Sequence, residues 1–255
     1  MRRLELHVHG ALRAFVGRRP DPFSLDWRPG DALKHRLEAL GIPHTEIGAL
    51  CVERAARGWD WHPGADAVLD VYPYVDAHPD ARALLHPPLA RPPAFAADAH
   101  LGRLANHLRL LGFDTLLPPE AGDAALARLA AAQGRVLLTR DRNLLMHRVV
   151  AHGAYVRAQR PREQLLEVVR RYDLGPQVAP FTRCLRCNGT LDGVSKAAVA
   201  DRLPPQVAAV HGAFTRCRGC GRVYWPGSHY RRLDALVREV QSEAARVPLR
   251  RVTCR

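Results

Sequence analysis

The 255 residues, 47% of them hydrophobic, suffice for one large domain or two modest ones and exclude a wholly disordered chain. No apolar run reaches the roughly 18 residues of a membrane span, and the N-terminal MRRLELHVHGALRAF alternates charge with apolar residues where a secretion signal would carry an apolar core. A soluble cytoplasmic protein with no membrane partner is therefore expected, and its net charge of +13 points to a polyanionic partner.

The charge is positional. Residues 1–78 carry −1, residues 79–182 carry +5 and residues 183–255 carry +9. Arginine has replaced lysine almost everywhere, with Lys34 and Lys196 the exceptions, yet a compositional bias alone would not spare the first third. In that third, Leu4, Leu6 and Val8 alternate with Glu5, His7 and His9, which predicts a strand, and a turn around Gly17 to Pro22 leads to a second strand over Phe23–Trp27. Leu33, Leu37 and Leu40 then fall at helical spacing over 31–40, behind Pro29 and Gly30 and ahead of Gly41. Strands at 47–52 and 67–72 complete a hairpin, helix, β-pair order that suggests a small ubiquitin-like β-grasp roll over residues 1–78.

Five prolines (Pro79, Pro87, Pro88, Pro92, Pro93) make residues 79–93 a linker. Beyond it, residues 94–182 repeat strand then helix: strands at 94–97, 113–117, 135–139 and 154–158, and helices at 101–111, 123–133, 144–151 and 162–172. Such βα alternation predicts a parallel sheet with helices on both faces, and hence an α/β fold. In these sheets ligands bind outside the carboxyl ends of the strands, where Asp98 and Asp141 fall. Asp123 opens the intervening helix, Thr139 can orient a neighbouring carboxylate, and Asp114 is either a turn residue or a supporting acid. Three carboxylates in one crevice would repel unless divalent cations neutralised them, so the set suggests magnesium or manganese serving phosphodiester hydrolysis. The competing reading makes Asp98 and Asp123 simple helix N-caps.

Cys184-Leu-Arg-Cys187 and Cys217-Arg-Gly-Cys220 are paired CxxC knuckles, the pattern of a closed four-thiolate structural zinc site. The long interval between them is assigned to a helical insert over 195–212. Without a secretion signal a disulfide reading of the knuckles is disfavoured, and a redox CxxC would not need duplication; Cys51 is expected in the core and Cys254 in a tail. Residues 183–255 thus read as a zinc ribbon followed by a basic helix. Its Tyr224, Trp225 and Tyr230, interleaved with Arg222, His229, Arg231 and Arg232, either stack unpaired bases and hold phosphates or pack the ribbon while the arginines are solvated.

FAADAHLGRLANHLRLLGFDTL, Asp123, RVLLTRDRNLL, the two knuckles and YWPGSHYRR together resemble the Mut-seven C-terminal RNase domain family, PIN-like nucleases with a C-terminal zinc ribbon. GIPHTE and DVYPYV are similar to the ubiquitin-like domain often fused ahead of it. The resemblance implies a PIN-like fold and metal-dependent cleavage of RNA, with ligands at Asp98, Asp123 and Asp141 and Asp114 as a helper. Arg103, Arg140 and Arg142 beside the acids, with the cations and aromatics of the ribbon, are the expected contacts to single-stranded RNA. The ubiquitin-like part would offer a surface to a protein partner. Asn143 and Leu144 stand where PIN nucleases commonly place a fourth acid, which leaves open a non-catalytic RNA-binding adaptor with a vestigial pocket. The first domain lacks a terminal Gly-Gly, so conjugation is not implied.

Overall fold

The computed structural model describes residues 2–28, 30–246, 252 and 254, without the side chains of 245 and 246. Pro29 and the basic tail at 247–251 lie outside the described residues. In chain order the strands are β1 (Arg2–Val8), β2 (Phe23–Trp27), β3 (Ile47–Val52), β4 (Ala55–Arg57), β5 (Ala67–Pro73), β6 (Phe95–Ala97), β7 (Thr115–Leu116), β8 (Val136–Thr139), β9 (Gly153–Tyr155), β10 (Leu191–Val194), β11 (Phe214–Cys217) and β12 (Val223–Tyr224). The chain forms two compact units, one of residues 1–90, 119–157 and 248–255, the other of residues 91–118 and 158–247. Among the described residues no helix is long and apolar enough to cross a membrane.

In the first unit β1 to β5 form one sheet in the order β2-β1-β5-β3-β4. β1 and β2 pair antiparallel, β1 and β5 parallel, and β3 runs antiparallel to both β5 and β4. The alternation in β1 turns Leu4, Leu6 and Val8 inward, where they meet Leu33 and Leu37 of the helix Leu33–Ala39 and the fully covered indole of Trp27. This is the expected β-grasp roll, with β4 as an addition that three weakly patterned residues did not signal. The same unit holds β8 and β9, paired in parallel, and the helix Asp123–Ala132, which buries Leu126, Ala127 and Ala130.

Two expectations change here. The proline-rich segment is structured: Pro79 starts a short helix, Pro79–Ala83, because proline suits a first helical position, and His78 caps it by accepting the Asp80 N–H. His86 and Leu85 beyond it are buried, His86 Nε2 lying 2.6 Å from the Ile47 carbonyl and Trp59 donating to the Leu85 carbonyl. Cys254 is no loose tail residue. It is disulfide-bonded to Cys51, 203 residues away in sequence, and Val252 pairs with Ala77 alongside.

In the second unit β6 and β7 pair in parallel, and the helices Gly102–Leu110 and Pro161–Tyr172 supply its buried leucines and valines. β10, β11 and β12 make an antiparallel ribbon. The insert between the knuckles folds as a 3-10 turn, Ala197–Arg202, and a helix, Pro205–Val210, closing a small cluster of Val199, Leu203 and Phe214. The helix Ser228–Arg246 follows.

Candidate active site and four-cysteine centre

VLLTRDRNLL becomes a strand and a turn because four buried residues, Val136 to Thr139, end where the chain meets solvent at Arg140. The Thr139 hydroxyl, wholly covered, accepts the Asp141 N–H at 3.0 Å, and Asp141 Oδ1 accepts the Asn143 N–H at 2.8 Å. Two successive side-chain turns thereby fix the Asp141 carboxylate at the carboxyl end of a parallel strand. Asp141 caps the short helix Arg142–Leu145, a single turn where a helix over 144–151 was expected. Its apolar spacing misled, since Val149 is exposed. Asp123 is the first residue of Asp123–Ala132, exposed at the positive end of that helix, and Gly122 occupies the cap position.

Behind this turn lies a group that sequence reasoning passed over. Ile42, Pro43, His44, Thr45 and Glu46 of GIPHTE are buried in succession. Glu46, 1% exposed, accepts the Tyr155 N–H and an Arg157 Nη2 hydrogen, each at 2.8 Å. Tyr155 is the register partner of Thr139. His44 lies between Glu38 Oε1 at 2.6 Å and the Val150 carbonyl at 2.7 Å, and Phe15 meets the Tyr155 ring edge-on while the Arg157 guanidinium covers Phe15. The ubiquitin-like part therefore grips the strand neighbouring the one that presents Asp141. The usable signal was three polar residues running directly into the wholly apolar β3, since buried polar groups demand partners.

Asp98 belongs to the other unit. It follows β6, half-buried, and stands before the 3-10 turn Ala99–Leu101 without a side-chain capping bond. Arg103 is exposed on the succeeding helix. Asp114 faces the cysteine knuckle: its Oδ1 accepts Asn188 Nδ2 at 2.8 Å, and Arg183 approaches at 3.5 Å. Asn188 Oδ1 in turn accepts the Thr115 N–H, and buried Arg109 donates to the Thr115 and Leu185 carbonyls.

All four cysteine sulfurs lie within 4.8 Å of one another, with Cys184 and Cys217 buried. Among the described residues no other group of three His, Cys, Asp or Glu donors is drawn this close. Gly189 is required at the first knuckle, because a Cβ there would stand 2.9 Å from the Cys217 sulfur. Burial alone would raise the Cys184 thiol, but hydrogen bonds from the Tyr224 hydroxyl and the Cys187 and Arg186 N–H groups bring it down to about 6. A set of soft thiolate donors this compact fits zinc, and four sulfurs leave no open coordination position.

A family model described as the Mut7-C RNAse domain matches residues 93–237, and one described as Mut7-C ubiquitin matches residues 1–78. The chain belongs to the Mut7-C RNase domain family. No curated protein and no solved structure matches it. The Mut7-C match spans both the acids and the four cysteines, so the chain carries a nuclease-like domain with a metal-type cluster built into it. Within that domain the aromatic residues after the second knuckle divide by role. Tyr224 supports Cys184 at 3.0 Å, Trp225 packs on the Val199, Leu203 and Phe214 cluster, and exposed Tyr230 stacks on Phe181 with ring centroids 4.6 Å apart. Arg222, His229, Arg231 and Arg232 are exposed around them.

Proposed function

We propose that the chain is a metal-dependent endoribonuclease in which Asp98, Asp123 and Asp141 hold magnesium or manganese and the basic ribbon holds single-stranded RNA. The observation that carries this reading is the Thr139–Asp141–Asn143 turn, which holds a carboxylate in one orientation at the carboxyl end of a parallel strand. A divalent cation bound there would supply activation of the attacking water and neutralise charge developing on the phosphate. Half-buried Asp141 would offer the ion its second carboxylate oxygen while Oδ1 stays engaged with the Asn143 N–H. Asp123 lends a carboxylate at a helix start, and exposed Arg140 and Arg142 neutralise phosphate oxygens beside it. Asp114, bonded to Asn188 and near Arg183, serves as a positioning acid that ties the knuckle to β7. The four cysteines hold a structural zinc.

The proposed division is a ubiquitin-like domain over 1–78, a connecting segment over 79–93, a PIN-like domain over 94–182 and the ribbon over 183–255. GIPHTE is occupied by the chain's own β9 strand and Arg157, so a protein partner of the first domain would use another face. One observation favours the adaptor reading: Asn143 stands in place of a fourth acid.

The test is cleavage of mixed RNA substrates with manganese by the wild type, Asp98→Asn and Asp141→Asn. Cutting by the wild type, and its loss in both variants with RNA binding retained, is the expected result. Equal behaviour of all three proteins would leave an RNA-binding adaptor.

A further inference from the structure

The ribbon and the start of the helix Ser228–Arg246 enclose a cleft of about 990 Å³. Its lining is largely apolar and aromatic, with Phe181, Phe214, Trp225 and Tyr230 beside Leu110 and Leu185. Tyr230 is 37% exposed although stacked on Phe181, so part of this aromatic pair meets solvent. Arg183, Arg222 and His229 also line the cleft, and no Asp or Glu does. Volume of this order suits a small ring system with room to spare.

An apolar floor alone would accept many occupants. The cationic lining and the +9 carried by residues 183–255 select against a basic or neutral peptide and for an anion whose body is flat and apolar. A nucleotide of an unpaired strand has that chemistry, with a π-face for the tyrosine and a phosphate for the arginines. A duplex does not, because its bases are stacked on each other.

From this lining we infer that the cleft is a base-insertion site, in which an unpaired nucleobase enters beside Tyr230 while exposed Arg222 and His229 hold the flanking phosphates. The inference rests on the RNA reading given above and sharpens it: the ribbon recognises unpaired bases by insertion and not merely phosphate by charge. Tyr224 also lines the cleft, its hydroxyl engaged with Cys184.

The test uses the full chain carrying Asp141→Asn, so that binding is read without cutting. Its probes are a single-stranded oligoribonucleotide, the same strand in a duplex, and a strand of equal length whose central nucleotides are abasic. Base stacking of about 1–3 kcal/mol corresponds to roughly 5- to 150-fold in affinity. The intact single strand should therefore bind about 5-fold or more tighter than either other probe. Tyr230→Ala and Phe181→Ala should erase that difference, and Tyr230→Phe should keep it. Equal binding of intact and abasic strands by the Asp141→Asn chain would overturn the inference, as would a Tyr230→Ala chain that still discriminates, or an acidic aromatic peptide that displaces the oligonucleotide while the abasic strand does not. Loss of discrimination while wild-type cleavage persists sinks the base site alone. Discrimination without any wild-type cleavage sinks the ribonuclease reading alone.

Discussion

The acidic turn, proposed above to hold a divalent ion, and the cysteine cluster are built on opposite plans. The cluster is closed: four sulfurs lie within 4.8 Å, two of them buried, and a tyrosine hydroxyl and backbone N–H groups complete it. The acidic turn is open: Asp123 is exposed, Asp141 is half-buried, and the residues that orient Asp141 leave a carboxylate oxygen for a ligand. A site that must hold a fold satisfies its ion with protein atoms, whereas a site that must turn over substrate keeps positions for water and phosphate. Removing the ion should unfold the first and only silence the second.

The largest expected effect follows from the cluster. Beneath the ribbon the buried apolar cluster consists of Val199, Leu203 and Phe214, too little to hold three short strands by burial. Structural zinc binding is worth about 10–16 kcal/mol in small domains, so Cys184→Ser should release about one zinc per chain and expose residues 183–226 to protease. Metal analysis and limited proteolysis check this, and an intact ribbon with unchanged metal content contradicts it. The β-grasp core should persist in that variant, because Leu4, Leu6, Trp27, Leu33 and Leu37 are wholly buried without help from the ribbon.

Next in size is Glu46. Removing one member of a buried ion pair typically costs about 3–5 kcal/mol, and Arg157 is less covered than Glu46 here, with its side chain 29% exposed. Glu46→Ala should therefore lower stability by about 3 kcal/mol in a denaturant titration while leaving the zinc content unchanged. A variant as stable as the wild type would show that GIPHTE does not grip β9.

Asp141→Asn should abolish cleavage yet cost at most about 1 kcal/mol, because asparagine caps a helix about as well as aspartate. Thr139→Val, which removes the acceptor for the Asp141 N–H, should cost about 1–2 kcal/mol and reduce turnover with intact RNA binding. A Thr139→Val chain with full turnover would separate that hydroxyl from the site.

The smallest effect is one of pH. Burial holds the His152 ring below the ordinary histidine value of 6.5, against a hydrogen bond to the Pro88 backbone. Its unfolded state then binds the proton more readily. This contribution to stability is complete above pH 6.5 and is lost as pH falls through that value towards the lower folded one. Melting temperature should drop between pH 7 and 5, and His152→Gln should blunt the drop. An identical pH profile in the variant would exclude His152 as a source.

Much of this was legible in the sequence. Alternation in β1, the leucine spacing of the first helix and the paired CxxC knuckles are local patterns, and each formed where expected. The Thr139 and Asp141 turn is local too, but the sequence pointed to a carboxylate oriented by Thr139, whereas its hydroxyl accepts the Asp141 N–H. What escaped was non-local. Glu46 meets Arg157 across 111 residues, Asp114 finds Asn188 across 74, and Cys51 meets Cys254 across 203, and no periodicity announces such pairs. The cap reading was also redistributed: Asp98 and Asp123, suspected as caps, make no capping bond of that kind, while Asp141 does.

The most direct test of the central claim, that the three carboxylates share a divalent ion, is manganese binding followed by electron paramagnetic resonance on the full zinc-loaded chain. The wild type should bind manganese at a site that Asp98→Asn, Asp123→Asn and Asp141→Asn each weaken by at least tenfold, with zinc retained throughout. Manganese binding left unchanged in all three variants would contradict the claim.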